Sequence, residues 1–534
     1  GVHPFSMTDR FPADKNTTNA AAGTAAQFTA ILLPVPSPVW ALDHANTIAA
    51  ADTVAAANTI TAATPSRRRR RSARYLSTEN YWERIVMNIA VDFAAACGRK
   101  IKPLHGINNS PIALYKPLPE LLQAGIPYIR LHDTGGAYGG NCYVDIPNIF
   151  PDFNADENDP ASYRFEFTDA YFKQLVASGM KIFYRLGVTI ENNYKLHAYR
   201  IAPPADPAKW ARICEHVVRH YNEGWANGCH YGIEYWEIWN EPENPPMWSG
   251  TREQFFELYQ ATATHLRECF PHIKIGGYAS CGFYAINRPK PTEFFKSFIT
   301  WFDDFLQLVR KNKLPLDFYS WHLYTTDPEE IILHARYVRQ KLDEYGFQQV
   351  ESIFNEWNFV SPDEERRWDL MKEAPGAAFV AAAFALMQRG SIDKAMYYDA
   401  LPTRRYCGLY YFPSGKTTKT YCSFLAFNQL YKLGDECAAS CDGKNAYVLA
   451  AATGARGAVL AVNNSKSGRK VVWDIKNAPA AMQAFLISSK HALDRVNFTA
   501  DFSMPPFSVL LLLSNDDLQK TAAVSATGKF AGLG

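Results

Sequence analysis

The stretch Glu234-Tyr-Trp-Glu-Ile-Trp-Asn-Glu-Pro-Glu243 decides how the chain is read. Its aromatic and β-branched run favours a pleated strand, and Pro242 has no amide proton to continue a ladder, so a strand is predicted that stops at Glu241. A second stretch, Val350-Glu-Ser-Ile-Phe-Asn-Glu-Trp-Asn358, again ends an apolar run in Asn-Glu, at Asn355 and Glu356. The carboxyl end of a buried strand is where parallel barrels keep their chemistry. Glu241 and Glu356 lie 115 residues apart, which fits three strand-and-helix units of roughly thirty residues or more each. Both are therefore expected to face one cavity from different strands.

Outward from these two stretches, strand signals recur at 101–107, 126–132, 180–186, 234–239, 273–278, 316–322, 350–356 and 394–399. Helical patterns accompany them at 168–178, 206–222, 252–268, 293–311, 329–345, 376–389 and 420–433. Asp206-Pro207 and Asp327-Pro328-Glu329 are helix-start signals. Alternation of this kind predicts an α/β chain whose residues 101–433 close a (β/α)₈ TIM barrel. After Leu433 the texture changes to short strands divided by turns, at 446–451, 457–462, 470–475, 481–487 and 507–513. That spacing predicts a smaller accessory β-sandwich at 434–515, joined by an isolated strand within 88–97.

Residues 1–86 are Ala/Thr-rich and carry the basic run Arg67 to Arg71, a composition expected to stay disordered. Residues 516–534 read as a flexible tail. The formal charge of +2 comes from this leader, with nine Lys/Arg against six Asp/Glu, while the remainder balances at 46 against 47. No field suited to nucleic acid follows from that balance. No apolar run is long enough to cross a membrane. Ten cysteines are spread singly, which predicts free thiols in a reducing, cytoplasmic setting, with secretion left open. Cys437 and Cys441 alone are close enough to suggest a local pair, and a coincidence of spacing is the better account of them.

Two glutamates at strand ends of one barrel suggest glycoside hydrolysis. One carboxylic acid would protonate the leaving oxygen while the other attacks the anomeric carbon, with carboxyl groups about 5 to 5.5 Å apart for net retention. The aromatic content of 14% suits sugar stacking. Arg130 and His132 share a face, and a guanidinium near Glu356 would favour its ionised form while apolar surroundings keep Glu241 protonated; Arg130 reads equally as a structural ion-pair partner. Asn108 and Asn109 read either as sugar ligands or as a turn that needs asparagine.

Trp239-Asn-Glu-Pro-Glu243 followed by Phe354-Asn-Glu-Trp357 resembles the acid/base and nucleophile strands of the clan A retaining glycosidases. With Ile129-Arg-Leu-His-Asp133 and the run from Ser320 to Asp327 in between, the order is similar to glycoside hydrolase family 39, over about residues 88–515. That family includes β-xylosidases, α-L-iduronidases and arabinosyl-releasing enzymes. The resemblance implies Glu241 as general acid/base, Glu356 as nucleophile and Asn240 as ligand to the sugar 2-hydroxyl. It also implies Tyr324 as donor to Glu356 and His322 close to the sugar, if their strand runs that far. Tyr398 and Asp399 would line the site. Residues 401–409 do not match the family's xylosidase pattern; Arg404 or Arg405 would suit a uronate carboxylate, and solvated arginines are the better account of the pair. The long loop 133–160 would wall the far side into an exo-acting pocket.

These observations imply a retaining exo-glycosidase that releases xylosyl or arabinosyl units from plant-type oligosaccharides, with an oligosaccharide or glycoside as its partner and no metal or organic cofactor. Assembly into a homo-oligomer is left open. The alternatives are an iduronidase-like uronosidase, an inactive carbohydrate-binding barrel, and a metal-dependent hydrolase built on His105, His132 and His322.

Overall fold

The structure, a computed structural model, describes residues 86–132, 144–189, 199, 201–479, 481–514 and 518. Apart from Val86 and Leu518, the expected disordered leader 1–86 and flexible tail 516–534 lie outside the described residues. The first strand, β1 (Val86–Lys100), belongs to a second sheet. Eight parallel strands then close in chain order: β2 (Gly106–Asn108), β3 (Tyr128–Leu131), β4 (Lys181–Leu186), β5 (Tyr235–Ile238), β6 (Lys274–Ser280), β7 (Phe318–Thr325), β8 (Glu351–Phe359) and β9 (Lys394–Tyr397). A helix follows each strand, short after the first and longer after the rest: α1 (Pro119–Gln123), α2 (Glu166–Ala177), α3 (Pro207–Asn222), α4 (Arg252–Cys269), α5 (Glu293–Asn312), α6 (Pro328–Glu344), α7 (Ala374–Arg389) and α8 (Lys419–Leu433). The Asp206 and Asp327 side chains accept amide protons at the starts of α3 and α6, as their Asp-Pro signals suggested.

Three differences from the sequence expectation have local causes. The first barrel strand begins at Gly106 rather than residue 101, because Pro103 cannot donate to a ladder. The helix after it, α1, is five residues long, too short to show a period. Strand β8 runs past Glu356 to Phe359, so that glutamate sits inside a strand rather than at its end.

The barrel interior is layered. At its amino-terminal mouth Lys274 and Lys394 meet Glu351 at 2.6 and 3.1 Å. Above them Tyr128, Phe183, Tyr235, Phe318, Ile353 and Met396 form an apolar floor. Two residues further along the strands come Asn108, Arg130, Arg185, Glu237, Ser320 and Asn355, all fully buried. Such a polar belt is stable only where its members satisfy one another.

The second sheet has nine strands in the order β15-β14-β17-β12-β11-β10-β1-β13-β16. The later ones are β10 (Asp435–Cys441), β11 (Ala446–Thr453), β12 (Arg456–Asn463), β13 (Arg469–Lys476), β14 (Gln483–Ile487), β15 (Ala492–Val496), β16 (Ser503–Met504) and β17 (Ser508–Leu513). The expected sandwich is thus one sheet curled over itself. Met87, Ile89 and Val91 of β1 pack with Leu510 and Leu512 of β17 inside the curl. On the other face Val509, Leu511 and Leu513 join the core that includes α7 and α8. Burial on both faces explains why β17 reads as an unbroken apolar run. Helix α7 is buried along nearly its whole length, and its many alanines let strands approach on two sides. Cys437 and Cys441 both lie in β10 as free thiols; four strand residues span about 13 Å, too far for a disulfide.

Candidate active site

Arg130 is the hub of the barrel's polar belt. It donates through Nε to Oε2 of Glu237 at 2.7 Å, through one terminal nitrogen to Asn108 Oδ1 (3.0 Å) and Glu356 Oε1 (3.2 Å), and through the other to Asn240 Oδ1 at 2.6 Å. Asn355 closes the lower side, donating to Oε1 of Glu237 at 2.5 Å. Asn108 directs its own amide to the carbonyl of Asn355 at 2.8 Å. One guanidinium therefore serves two carboxylates, of which only Glu356 lies towards the rim.

Glu356 is held from a second direction by Tyr324, whose hydroxyl donates to Oε2 at 2.9 Å. Strand β7 extends to Thr325, which meets the condition under which Tyr324 and His322 reach the site. His322 Nδ1 lies 2.8 Å from Oε1 of Glu241 and 3.2 Å from Oε2 of Glu356. One oxygen of each glutamate and a His322 nitrogen all fall within 4.8 Å of one another. All four side chains are buried.

Each Asn-Glu pair points two consecutive side chains inward, which a regular strand cannot do. In β8 the ladder skips a residue: Trp321 faces Phe354 and His322 faces Glu356, leaving Asn355 as a bulge. After β5 the same result comes from left-handed backbone at Trp239 (φ 70°) and Glu241 (φ 46°). Such conformations cost of order 1–3 kcal/mol each for non-glycine residues. The Glu241 amide donates to the carbonyl of Ala279 at 3.0 Å, which pins that turn to the end of β6.

Around this centre the other expected residues take distinct places. His132 Nε2 is 4.0 Å from Glu356 Oε1. Tyr398 packs near the rings of Tyr324 and Tyr406, and Asp399 Oδ2 accepts from Asn109 at 3.2 Å. Asn109 has φ 53°, the turn conformation that asparagine tolerates. Arg404 and Arg405 are exposed. Of the loop 133–160, residues 133–143 lie outside the described residues. His105 packs edge-on against Phe427 and Tyr431 of α8, so a metal set of His105, His132 and His322 does not form.

Glu237, Tyr406, Cys281 and Glu243 were not singled out from sequence. Glu237 was legible, since it alternates with Tyr235 on the inward face of β5. Glu243 accepts from the Ser280 hydroxyl at 2.8 Å and the Cys281 amide at 2.7 Å. Its contacts depend on the β6 end, which no local pattern reveals.

Burial dominates the electrostatics. It lowers His322 to about 4, against the raising effect of Glu356, and holds His132 well below its ordinary value too, helped by the nearby Arg130 and Arg185. Both imidazoles are neutral at ordinary pH. Burial also pushes Glu243 up to about 8, with the neighbouring Glu241 adding to the shift. The rim thus presents two facing carboxyl groups, one bound by a cation and a phenol, the other by a neutral imidazole and the Asn244 amide.

Fold and site together define a two-carboxylate (β/α)₈ barrel with an accessory β-sheet domain. Residues 125–369 match the profile of glycosyl hydrolases family 39. A β-xylosidase of Geobacillus stearothermophilus is 26% identical over 239 residues, which is 42% of this chain. The match spans only 40% of that relative's length. In fold, the chain is similar to a glucosidase from Croceicoccus marinus, with TM-score 0.64, 20% identity, and coverage of 81% of this chain and 100% of the other. It is likewise similar to a β-xylosidase of the same family from Caulobacter crescentus, with TM-score 0.61, 17% identity, and coverage of 81% and 100%.

Proposed function

We propose that the protein is a retaining exo-glycosidase of the β-xylosidase type. The observation that carries this reading is the meeting of Glu241 and Glu356 oxygens within 4.8 Å at the barrel rim. That closeness suits the roughly 5–5.5 Å carboxyl separation of double displacement rather than the roughly 6.5–9.5 Å of inversion. Glu356, kept oriented by Arg130 and Tyr324, attacks the anomeric carbon. Glu241 gives its proton to the departing oxygen, then takes one from the water that releases the glycosyl-enzyme. Asn240, with Oδ1 turned to Arg130, offers Nδ2 to the sugar 2-hydroxyl, a contact that strengthens in the oxocarbenium-like transition state.

The β-xylosidase relative supports a xylosyl unit; an arabinosyl unit is the second sugar we would test. A uronoside reading would need Arg404 or Arg405, and both are exposed. The site residues supply acid, base and nucleophile themselves, so no cofactor enters the scheme. A panel of aryl xylosides, arabinosides, glucosides and uronosides, read by aryl release, decides the sugar. Glu356→Ala should abolish turnover, with azide restoring part of it and yielding a glycosyl azide of inverted configuration. Parental turnover in that variant would refute the assignment of the nucleophile, and no release from any aryl glycoside would favour a sugar-binding barrel.

A further inference from the structure

On the helical layer outside the barrel strands, α3 and α4 bring together three different donor side chains. Glu215 Oε2 lies 2.6 Å from His265 Nε2, and Cys269 Sγ lies 3.8 Å from that same nitrogen. All three donor atoms are within 4.8 Å of one another, and all three residues are half-buried. His265 and Cys269 are four apart on α4 and so share one of its faces. Glu215 faces them from α3.

The surroundings suit a cation. The other oxygen of Glu215 accepts from Arg219 Nε at 2.7 Å, which turns Oε2 towards His265, the kind of outer contact that orients a metal ligand. Arg219 is itself answered by Glu223 at 2.5 Å, so its charge is shared between two carboxylates. Cys269 is the last residue of α4, where the helix's partial negative charge favours a cation. A carboxylate and a thiolate together balance a dication. A groove of about 310 Å³, lined in part by Arg212, Thr264 and His265, opens on the His265 side of the cluster.

The distances are close to those required. Tetrahedral zinc, with bonds of about 2.3 Å to sulfur and about 2.0–2.2 Å to nitrogen and oxygen, sets S···N near 3.6 Å and N···O near 3.4 Å. Sulfur and nitrogen already stand near that spacing. The carboxylate and imidazole must part by somewhat under about 1 Å, exchanging their hydrogen bond for two metal bonds. The mixed sulfur, nitrogen and oxygen set selects a zinc-class ion over magnesium or calcium, which prefer oxygen alone.

We propose that Glu215, His265 and Cys269 bind one divalent transition-metal ion of the zinc class, with water in the fourth position, and that the ion staples α3 to α4. These helices follow β4 and β5, and β5 leads to Glu241, so the staple would stiffen the barrel wall behind that strand without entering the reaction.

The test uses the full chain, stripped by a chelator and titrated with Co²⁺ or Zn²⁺. Co²⁺ should give a thiolate charge-transfer band that saturates at one equivalent, is lost in Cys269→Ser and persists in Cys281→Ala. The second variant separates this site from the thiol near the barrel rim. On the unaltered chain, Zn²⁺ should protect Cys269 from alkylation, mapped by peptide mass, while Cys97 reacts as before. Arg219→Gln should weaken Zn²⁺ affinity by about tenfold or more. Absence of a thiolate band, its survival in Cys269→Ser, or equal alkylation of Cys269 with and without Zn²⁺ would overturn the proposal.

Discussion

Arg130→Met should unfold the protein more easily than its lost hydrogen bonds alone suggest. At an effective dielectric of 20, unit charges at 2.7 and 3.2 Å attract by about 6 and about 5 kcal/mol. The two values are too close to make either Glu237 or Glu356 the sole partner, so removing the arginine strands two buried carboxylates at once. Breaking a buried pair in this way costs about 3–5 kcal/mol. Adding Glu237→Gln to Arg130→Met removes one of the stranded charges, and replacing both members of a buried pair is often near neutral. The double variant should therefore recover most of the lost stability. It should not recover activity, because Glu356 and Asn240 still lack the guanidinium, and losing one such preorganised group costs about 10²–10³ in rate. Urea unfolding by tryptophan fluorescence reads the first effect and aryl xyloside hydrolysis the second. A double variant no more stable than Arg130→Met would refute uncompensated charge as the cause. A double variant with parental turnover would show that Arg130 is scaffold only.

Two further outcomes follow from the same geometry. Tyr324→Phe removes a donor to the Glu356 carboxylate, worth about 1.5–3 kcal/mol. Without it the ionised form is less favoured, so the acidic limb of kcat/KM against pH should rise by about one to two units; an unmoved limb would mean the hydroxyl does not act on the Glu356 carboxylate. Glu243, raised to about 8 by burial, stays protonated in the folded chain while an unfolded carboxyl has released its proton above about 4.5. Between those values the folded state binds more protons, so stability falls as pH rises, by on the order of 4–5 kcal/mol across the window. Glu243→Gln should flatten that slope between pH 5 and pH 8 in denaturant titrations, and an unchanged slope would place the titrating group elsewhere.

How much was legible in the sequence depended on whether the signal was local. The eight strands were visible because each is a short apolar run bounded by turn residues, and α3 and α6 because Asp-Pro announces a capped start. Helix α1 and strand β10 were missed for the opposite reason. One is too short to show a period, and the other, with small residues at Ala438, Ala439 and Ser440, has a texture no different from loop. The site divided the same way. Glu241 and Glu356 stood out through Asn-Glu at the close of an apolar run. The role of Glu237 as a partner of Arg130 is set by register between β3 and β5, with β4 between them, which sequence spacing does not encode.

The repeated Asn-Glu has a structural reason that only the backbone displays. Each pair must send its asparagine down to the polar belt and its glutamate across to the rim, and both side chains must therefore lie on the inward side of the wall. Alternation forbids this for neighbours in a regular strand, so the chain breaks alternation twice by different means. Beyond β5 it does so with left-handed turns at Trp239 and Glu241, and within β8 with the extra residue Asn355. The bulge lets β8 keep pairing with β7 to Phe359, and Glu356 lies within that ladder opposite His322, whereas Glu241 follows β5 on a turn tied by backbone bonds to Leu186, Ala279 and Asn244 and by the Glu243 contact to the Cys281 amide. The two carboxyl groups thus differ in restraint as well as in neighbours. The one carried within a strand suits the proposed nucleophile, whose position must be fixed, and the one on the turn suits the proposed acid, which would exchange its proton with a departing oxygen and an arriving water in alternate steps.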